Sequence, residues 1–97
     1  MARLTLAPKR IAAGLRRAGF ADSVIPVMTA VAMAESAGHP RAHNQNHHTG
    51  DNSYGLLQIN MIGEIGAERR QLLDLRRNED LFVPRVNFRA AKLIYEK

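Results

Sequence analysis

Apolar residues recur every three or four positions in four segments of the chain, which is the spacing of one face of an α-helix. These segments predict helices over residues 7–20, 22–36, 63–77 and 83–97. The first, third and fourth segments alternate with polar residues and are amphipathic. We expect the following residues to face the core: Ile11, Leu15 and Ala18 in the first helix, Ile65, Leu72 and Leu75 in the third, and Val86, Ala90, Leu93 and Ile94 in the fourth.

Residues that start and stop helices agree with these segments. Gly19 is placed to end the first helix, because glycine adopts a left-handed backbone at low cost. Asp22 or Ser23 is the expected N-cap of the second helix, because its side chain can accept a bond from a free backbone N–H. Pro26 and Pro84 each fall in a first turn, where the missing N–H of proline is tolerated.

A polar stretch separates the second and third helices. Residues 38–53 are rich in His, Asn, Gly and Asp and lack helical periodicity, so they predict a loop or a short hairpin that turns near Gly50–Asp51. The short apolar run SYGLLQIN follows at residues 53–60. The sequence therefore predicts a mainly α domain with a polar loop or short hairpin between the second helix and the helices that follow.

Length and composition limit the class of protein. The 97 residues are enough for one small domain, and a hydrophobic content of 45% argues against disorder. The chain has no cysteine, which excludes disulfides and thiolate chemistry. No apolar run is long enough to span a membrane. Basic residues interrupt the N-terminal segment where a signal peptide needs an unbroken apolar run, so we expect no signal peptide.

The net charge of +5 includes three arginine doublets, Arg16–Arg17, Arg69–Arg70 and Arg76–Arg77. Such a surface favours a polyanionic partner, either nucleic acid or the anionic cell wall. Nucleic-acid modules usually interleave aromatic residues with basic ones, and this chain has five aromatics, mostly outside the doublets. Solvated helix faces are the simplest explanation of the doublets. We therefore expect no nucleic-acid partner.

One carboxylate lies where its charged form is disfavoured. Glu35 shares a predicted helical face with Val24, Met28 and Val31, and Gly38 closes the helix soon after it. The C-terminal end of a helix carries partial negative charge, and apolar surroundings penalise an anion. A carboxyl in such a place suits a general acid near neutral pH, while a frayed surface glutamate is the alternative.

Four histidines and an aspartate, His39, His43, His47, His48 and Asp51, fall in the polar stretch. Histidine and carboxylate side chains could hold zinc. Their spacing belongs to a loop rather than to one helix face, and the chain has no HExxH motif. We therefore expect no metal and no cofactor. Imidazoles beside a binding groove could instead form hydrogen bonds with sugar hydroxyls.

The run from Glu35 to Gln58 resembles the lysozyme-like superfamily, most closely its soluble lytic transglycosylase domains and the related muralytic domains of phage tails and endolysins. The pattern of that family is a helix ending in Glu-Ser, then Pro, Ala and Asn positions, then Gly-Leu-x-Gln, and a Pro-x-x-Asn helix near the end. The matching residues are Glu35-Ser36, Pro40, Ala42, Asn44, Gly55-Leu56-Leu57-Gln58, and Pro84 with Asn87. The resemblance covers about residues 20–97 and implies a small lysozyme-like α+β domain.

The resemblance also implies an activity. A member of this family would degrade peptidoglycan by cleaving the β-1,4 bond between N-acetylmuramic acid and N-acetylglucosamine, with Glu35 as the catalytic acid. For Tyr54 and Gln58, packing and backbone capping are the alternative to contact with the glycan. The substrate-binding residues that the resemblance implies are Asn44, Ser53, Tyr54, Gln58 and Asn87.

The reaction class depends on a second carboxylate. In chicken-type lysozymes an aspartate precedes the Tyr-Gly of a similar stretch, whereas here that position is Ser53, with Asp51 two residues earlier. Lytic transglycosylases work with one glutamate and form a 1,6-anhydro sugar. The serine at position 53 therefore favours a lytic transglycosylase. A lysozyme-type hydrolase with Asp51 as its second carboxylate is the alternative.

Family members usually continue past the last helix with an aromatic-rich stretch that closes the groove, and this chain stops at Lys97 without an Ala-Tyr-Asn-x-Gly motif. We therefore expect residues 1–97 to be a single lysozyme-like domain, either with an open groove or as part of a longer protein whose other domains complete the groove. A catalytically silent wall-binding module and a basic nucleic-acid binder are rival functions. The expected location is a phage virion or the host cytoplasm before release, with the bacterial wall as the target.

Overall fold

The computed structural model describes residues 4–95, which form a mainly helical α+β domain with one antiparallel sheet. This confirms the predicted fold class. None of the helices in the described residues is long and apolar enough to cross a bilayer. In chain order the elements are α1 (Pro8–Ala18), a 3₁₀ helix (Asp22–Val24), α2 (Ile25–Ser36), β1 (His43–Asn46), β2 (Asp51–Tyr54), β3 (Ile59–Asn60), α3 (Gly63–Leu73), a second 3₁₀ helix (Asn78–Phe82) and α4 (Pro84–Tyr95).

Helix α1 forms as its pattern predicts. Ile11 and Leu15 are fully buried, and Ala18 packs against the edge of the core. Gly19 ends the helix with φ at 103°, and its N–H points back to the carbonyls of the last turn. Residues that carry a Cβ are strained at this φ, whereas glycine adopts it freely and so ends the helix here.

The start of α2 differs from the prediction. Asp22 and Ser23 lie in a 3₁₀ turn, and the residue that precedes α2 is Val24, with no side-chain cap. The extra turn separates the capping residues from the first α-helical turn, so the predicted N-cap is wrong. Pro26 lies in the first turn of α2, as predicted, because its missing N–H is not needed there.

The buried face of α2 is not the face that carries Glu35. Ile25, Ala32 and Ser36 are buried, whereas Val24 and Glu35 are exposed. α2 is apolar around most of its circumference, so the spacing of its apolar residues does not decide which side packs against α1. Of the residues predicted to share a face with Glu35, Met28 and Val31 are half-buried against the core, whereas Glu35 itself is exposed beside that core contact.

The polar stretch folds into the predicted hairpin. β1 and β2 pair antiparallel with Asn46 opposite Asp51, and residues 47–50 form the turn between them. β2 pairs in turn with β3, where Ser53 lies opposite Asn60. The three strands lie in the order β1-β2-β3, so the sheet is a meander of consecutive strands.

Helix α3 buries a different face from the predicted one. Ile65 is 45% exposed and Leu72 is 54% exposed, while Gly66 and Leu73 are buried. A Cβ at Gly66 would lie 2.1 Å from the carbonyl oxygen of Met61, so the helix backbone approaches the preceding segment closely. Close approach of two backbones requires a residue without a side chain, and this contact turns Ile65 and Leu72 outward.

Helix α3 is also shorter than predicted. It ends at Leu73, because Asp74 adopts a left-handed backbone with φ at 55°. Leu75 therefore lies beyond the helix, where it is half-buried against the core as a loop residue.

Helix α4 supplies the last face of the core. The predicted Ala90 is fully buried, and Val86 and Ile94 are half-buried, but Leu93 is 43% exposed and its predicted inward position is wrong. The face has rotated toward Asn87, a polar residue that is fully buried. Residues 96–97 of the predicted helix lie outside the described residues.

The turn between β2 and β3 is built into the core. Leu56 and Leu57 lie in this turn and are buried together with Ile11 of α1 and Leu81 of the second 3₁₀ helix. The apolar packing of Leu56 and Leu57 therefore fixes the position of the polar residues on either side of the turn.

Candidate active site

Glu35 is the second-last residue of α2, and its side chain is exposed. The helix end beneath it is firmly held. The hydroxyl of Ser36 donates to the carbonyl of Ala32 at 2.8 Å and accepts from the N–H of Gly38 at 3.3 Å. The N–H of Leu6 bonds to the carbonyl of Gly38 at 2.8 Å. Glu35 thus lies on a fixed helix end with its carboxylate in solvent.

Two consecutive turns lead from α2 toward the sheet. The N–H of His39 bonds to the carbonyl of Ser36 at 3.0 Å, and the N–H of Ala42 bonds to the carbonyl of His39 at 3.2 Å. These bonds shorten the path between Glu35 and β1, so the start of the sheet has a defined position relative to the glutamate.

The carbonyl of Ala42 joins this path to the turn after β2. It accepts from the N–H of Gly55 at 2.7 Å and from the side-chain Nε2 of Gln58 at 3.1 Å. Gly55 has φ at 81°, and a Cβ there would lie 2.4 Å from the carbonyl oxygen of Leu81. Only glycine fits this position, so the GLLQ turn depends on it.

Hydrogen bonds fix both ends of the side-chain amide of Gln58. Its backbone is left-handed with φ at 49°, and its Nε2 donates to the carbonyls of Ala42 and of Gly55, the latter at 2.8 Å. Its Oε1 accepts from Nδ2 of Asn44 at 2.7 Å. Asn44 itself is exposed on β1. Of this amide pair, Asn44 is the member that is open to a ligand, while Gln58 sets its orientation.

Asn87 closes the turn from the side of α4. It is fully buried, and its Oδ1 accepts from the N–H of Leu57 at 2.9 Å. Its Nδ2 donates to the carbonyl of Tyr54 at 2.9 Å and to that of Leu81 at 3.0 Å. With all three bonds made inside the protein, Asn87 has no accessible group for a substrate. Its geometry contradicts the predicted substrate contact and makes it a residue that holds the turn.

Asp51 and Ser53 lie two residues apart on β2 and point to the same face of the sheet. The hydroxyl of Ser53 donates to Oδ1 of Asp51 at 2.8 Å. Ser53 is 5% exposed and Asp51 is half-buried. The carboxylate of Asp51 is therefore held close to position 53, an approach that the two-residue spacing alone does not decide.

An aromatic row covers the other face of the hairpin. The ring of His43 stacks on Tyr54 with centroids 4.2 Å apart, and Tyr54 meets Phe82 at 5.5 Å. The guanidinium of Arg41 lies over Phe82 at 5.0 Å, and Nε2 of His43 shares a hydrogen bond of 2.7 Å with Asn52. Tyr54 is only 7% exposed, so its ring is a packing group between His43 and Phe82. His43 and Arg41 are exposed and form the outer surface of this row.

Arg41 and Phe82 were not predicted from the sequence as site residues. They are far apart along the chain: Arg41 lies inside the run from Glu35 to Gln58 but is not one of its matched positions, and Phe82 lies outside that run. Phe82 is one of only five aromatic residues, which could have marked it as a candidate site residue. No spacing rule connects Phe82 to the hairpin.

The four histidines do not come together. His43 lies in the aromatic row, while His47 and His48 lie in the exposed turn of the hairpin. His39 is half-buried, and its Nδ1 has no hydrogen-bond partner in the described part of the chain. Between residues 4 and 95, no three His, Asp or Glu side chains converge as a metal site would need.

A glutamate at the end of a helix, a short hairpin and a glycine-bearing turn clamped by a buried asparagine define a lysozyme-like domain. The sequence comparison agrees, because the lysozyme-like domain family designated SLT_3 matches residues 12–97. The chain belongs to this family, whose members act on peptidoglycan. No significant match to a curated protein or to a solved structure was found.

Proposed function

We propose that this domain cleaves the β-1,4 bond between N-acetylmuramic acid and N-acetylglucosamine, with Glu35 as the general acid of a lytic transglycosylase. The observation that carries the proposal is the hydrogen-bonded path from the end of α2 through Ala42 to Gln58. It sets the glutamate at a fixed position relative to the polar edge of the hairpin. A glycan strand lying along that edge would pass the carboxyl of Glu35.

The proposed reaction needs one carboxyl group. Glu35 gives its proton to the glycosidic oxygen as the bond to C1 of the muramic acid breaks. The resulting carboxylate then takes the proton of the 6-hydroxyl of the same sugar, whose oxygen bonds to C1. The products are a 1,6-anhydro end and a free 4-hydroxyl, and Glu35 is protonated again. No second carboxylate and no added water take part.

Supporting roles follow from burial and hydrogen bonding. Asn44 is exposed and oriented by Gln58, so we assign it to contact with the glycan. Gln58, Tyr54 and Asn87 are assigned to positioning, because their polar groups or rings are engaged inside the protein. Polar groups that are fixed before the ligand arrives cost little ordering when it binds.

Because Glu35 is exposed, we propose that the bound glycan itself shields the carboxyl from water. A general acid works best where water is excluded. Glu35 is exposed near the end of α2, so its carboxyl is open to water in the free protein. A bound sugar strand, or another domain of a longer protein, would cover the carboxyl and disfavour its charged form.

A second candidate is a lysozyme-type hydrolase with Asp51 as the second carboxylate. The hydrogen bond from Ser53 to Asp51 favours it, since the bond draws a negative charge toward the position that an aspartate occupies in chicken-type lysozymes. In this reaction water replaces the 6-hydroxyl, and the product is a reducing end.

A catalytically silent wall-binding module is the third candidate, and its target would be the same peptidoglycan. For each of the three, we place the domain in a phage virion or in the host cytoplasm before release. The proposed chemistry uses no cofactor.

Digestion of purified peptidoglycan, followed by mass spectrometry of the released ends, tests the proposal. We expect 1,6-anhydro ends. Reducing ends would replace the transglycosylase by the hydrolase. Co-sedimentation with insoluble peptidoglycan without released fragments would contradict both enzymatic functions and support the wall-binding module.

A further inference from the structure

A cavity between α1 and α4 lies outside the site around Glu35. Its volume is about 340 Å³. Its lining includes Arg10, Gly14, Arg17, Arg85 and Phe88, and no acidic residue is among the lining residues. The cavity is therefore a concave, strongly basic place on the surface of the domain.

The arginines stand on both walls of this cavity. Arg10 and Arg17 are seven residues apart on α1, which places them on the same face about 10 Å apart along the helix axis. Arg85 faces them from the first turn of α4. An anion in the cavity would therefore meet guanidinium groups from two helices.

None of the three arginines has an internal partner within the described residues. The ion pairs found there are Arg16 with Asp22 and Arg77 with Asp80, and no side-chain hydrogen bond involves Arg10, Arg17 or Arg85. Like charges around one cavity repel each other. A bound anion would relieve this repulsion and take up donors that the protein leaves to solvent.

The floor of the cavity is apolar and fixed. A Cβ at Gly14 would lie 2.3 Å from a ring atom of Phe88, so the ring rests directly on the backbone of α1. Gly14 lies on α1 between Arg10 and Arg17, four residues after the first and three before the second. Its missing side chain lets α1 and α4 meet closely below the arginines, and an apolar part of a ligand can lie against Phe88.

We propose that this cavity binds a phosphate ester with a small organic body. Three guanidinium groups offer more donors than the two oxygens of one carboxylate can accept, whereas a phosphate monoester presents three terminal oxygens and successive phosphodiesters of a polymer present two each. Arginine is also the side chain whose planar fork fits phosphate. The volume lies at the lower end of the range of small-molecule sites.

Titration of the 97-residue protein, monitored by amide NMR and calorimetry at constant ionic strength, tests this proposal. The probes are inorganic phosphate, glycerol 3-phosphate, poly(glycerol phosphate) and uncharged glycerol. We expect saturable binding of glycerol 3-phosphate, with shifts centred on Gly14 and Ala18, and no binding of glycerol. Tighter binding of the polymer identifies the phosphodiester chains of a cell wall as the source, and tighter binding of the monoester identifies a soluble ester.

Two variants and one matched control keep the test specific. Arg17→Gln and Arg85→Gln remove one guanidinium from each wall, and each should weaken binding about tenfold, as expected for loss of one charge-assisted hydrogen bond. Arg76→Gln removes an exposed arginine outside the cavity and should leave binding unchanged.

Three results would overturn the proposal. One is an equal loss with Arg76→Gln, which means diffuse charge attraction. The second is binding of duplex DNA, titrated as a further probe under the same conditions, without binding of glycerol 3-phosphate. The third is the absence of any saturable binding by a folded protein, as judged from its circular dichroism and melting.

Discussion

Oδ1 of Asn87 accepts the backbone N–H of Leu57 at 2.9 Å, and this bond connects α4 to the turn that carries Gln58. The same amide donates to two backbone carbonyls, so one buried side chain satisfies three backbone groups. Backbone groups in a buried turn need such partners because no water reaches them.

Asn87→Ala should therefore destabilise the domain strongly. Three buried polar groups would lose their partner, and each unsatisfied group costs about 1–3 kcal/mol. We expect the free energy of unfolding in urea to fall by at least about 3 kcal/mol. Gln45→Ala, an exposed amide on β1, is the control and should change it little. A loss below about 1 kcal/mol would show that Asn87 does not hold the turn.

Gly55→Ala should be more damaging than Gly50→Ala. Both glycines have positive φ, 81° and 71°, so both substitutions carry the same backbone strain of about 1–2 kcal/mol. A Cβ at Gly55 meets Asn87 and the carbonyl of Leu81, whereas one at Gly50 meets open space. The difference between the two melting temperatures measures the clash alone. Equal melting temperatures would contradict the close packing of the turn.

Glu35→Gln should abolish wall cleavage and leave the fold intact. Glutamine keeps the shape of the side chain but has no proton to transfer, and general acid catalysis contributes about 10²–10⁴-fold. Because Glu35 is exposed, the melting temperature should hardly change. Glu68→Gln, an exposed glutamate on α3, is the matched control. Normal turnover of peptidoglycan by the Glu35 variant would refute its proposed role.

Substitutions at Asp51 and Ser53 separate the two mechanisms. In a transglycosylase, Ser53→Ala should cost about 0.5–1.5 kcal/mol, the worth of one neutral hydrogen bond, and Asp51→Asn should keep much of the activity. In a hydrolase, Asp51→Asn should be nearly as damaging as Glu35→Gln. Circular dichroism and melting of the same variants detect any loss of fold. A folded Asp51→Asn protein without activity would rule out the single-glutamate mechanism.

The histidines of the polar stretch should hold no structural metal. His39 and His43 lie in different surroundings, and the remaining two lie in the hairpin turn, so no ligand set is formed there. The melting temperature should be the same with and without a strong chelator. A clear fall on chelation would contradict this.

The sequence was most informative where polar and apolar sides are clearly divided. In α1 the burial of Ile11 and Leu15 and the end at Gly19 could be predicted, because one face is apolar and one residue permits the final turn. In α2 almost every side is apolar, so the position of Ile25 inside and Glu35 outside is decided by packing against α1, which no local pattern records.

Contacts between distant segments explain the other differences. The motif could single out Asn87, but its partners Tyr54 and Leu57 lie 33 and 30 residues earlier in the chain, and only the folded chain shows them. The outward position of Ile65 follows from the contact of Gly66 with Met61, which depends on backbone approach rather than hydrophobicity.

The two ends of the hairpin should differ in their rates of amide hydrogen exchange, because only one end is bonded to the carbonyl of Ala42. The N–H of Gly55 bonds to that carbonyl inside the core, so its hydrogen should exchange with solvent only when the whole domain unfolds. Residues 47–50, at the other end of the same hairpin, are exposed, and their amides should exchange through small local openings. Exchange at one end of the hairpin thus reports on global stability, and exchange at the other end reports on local opening of the turn.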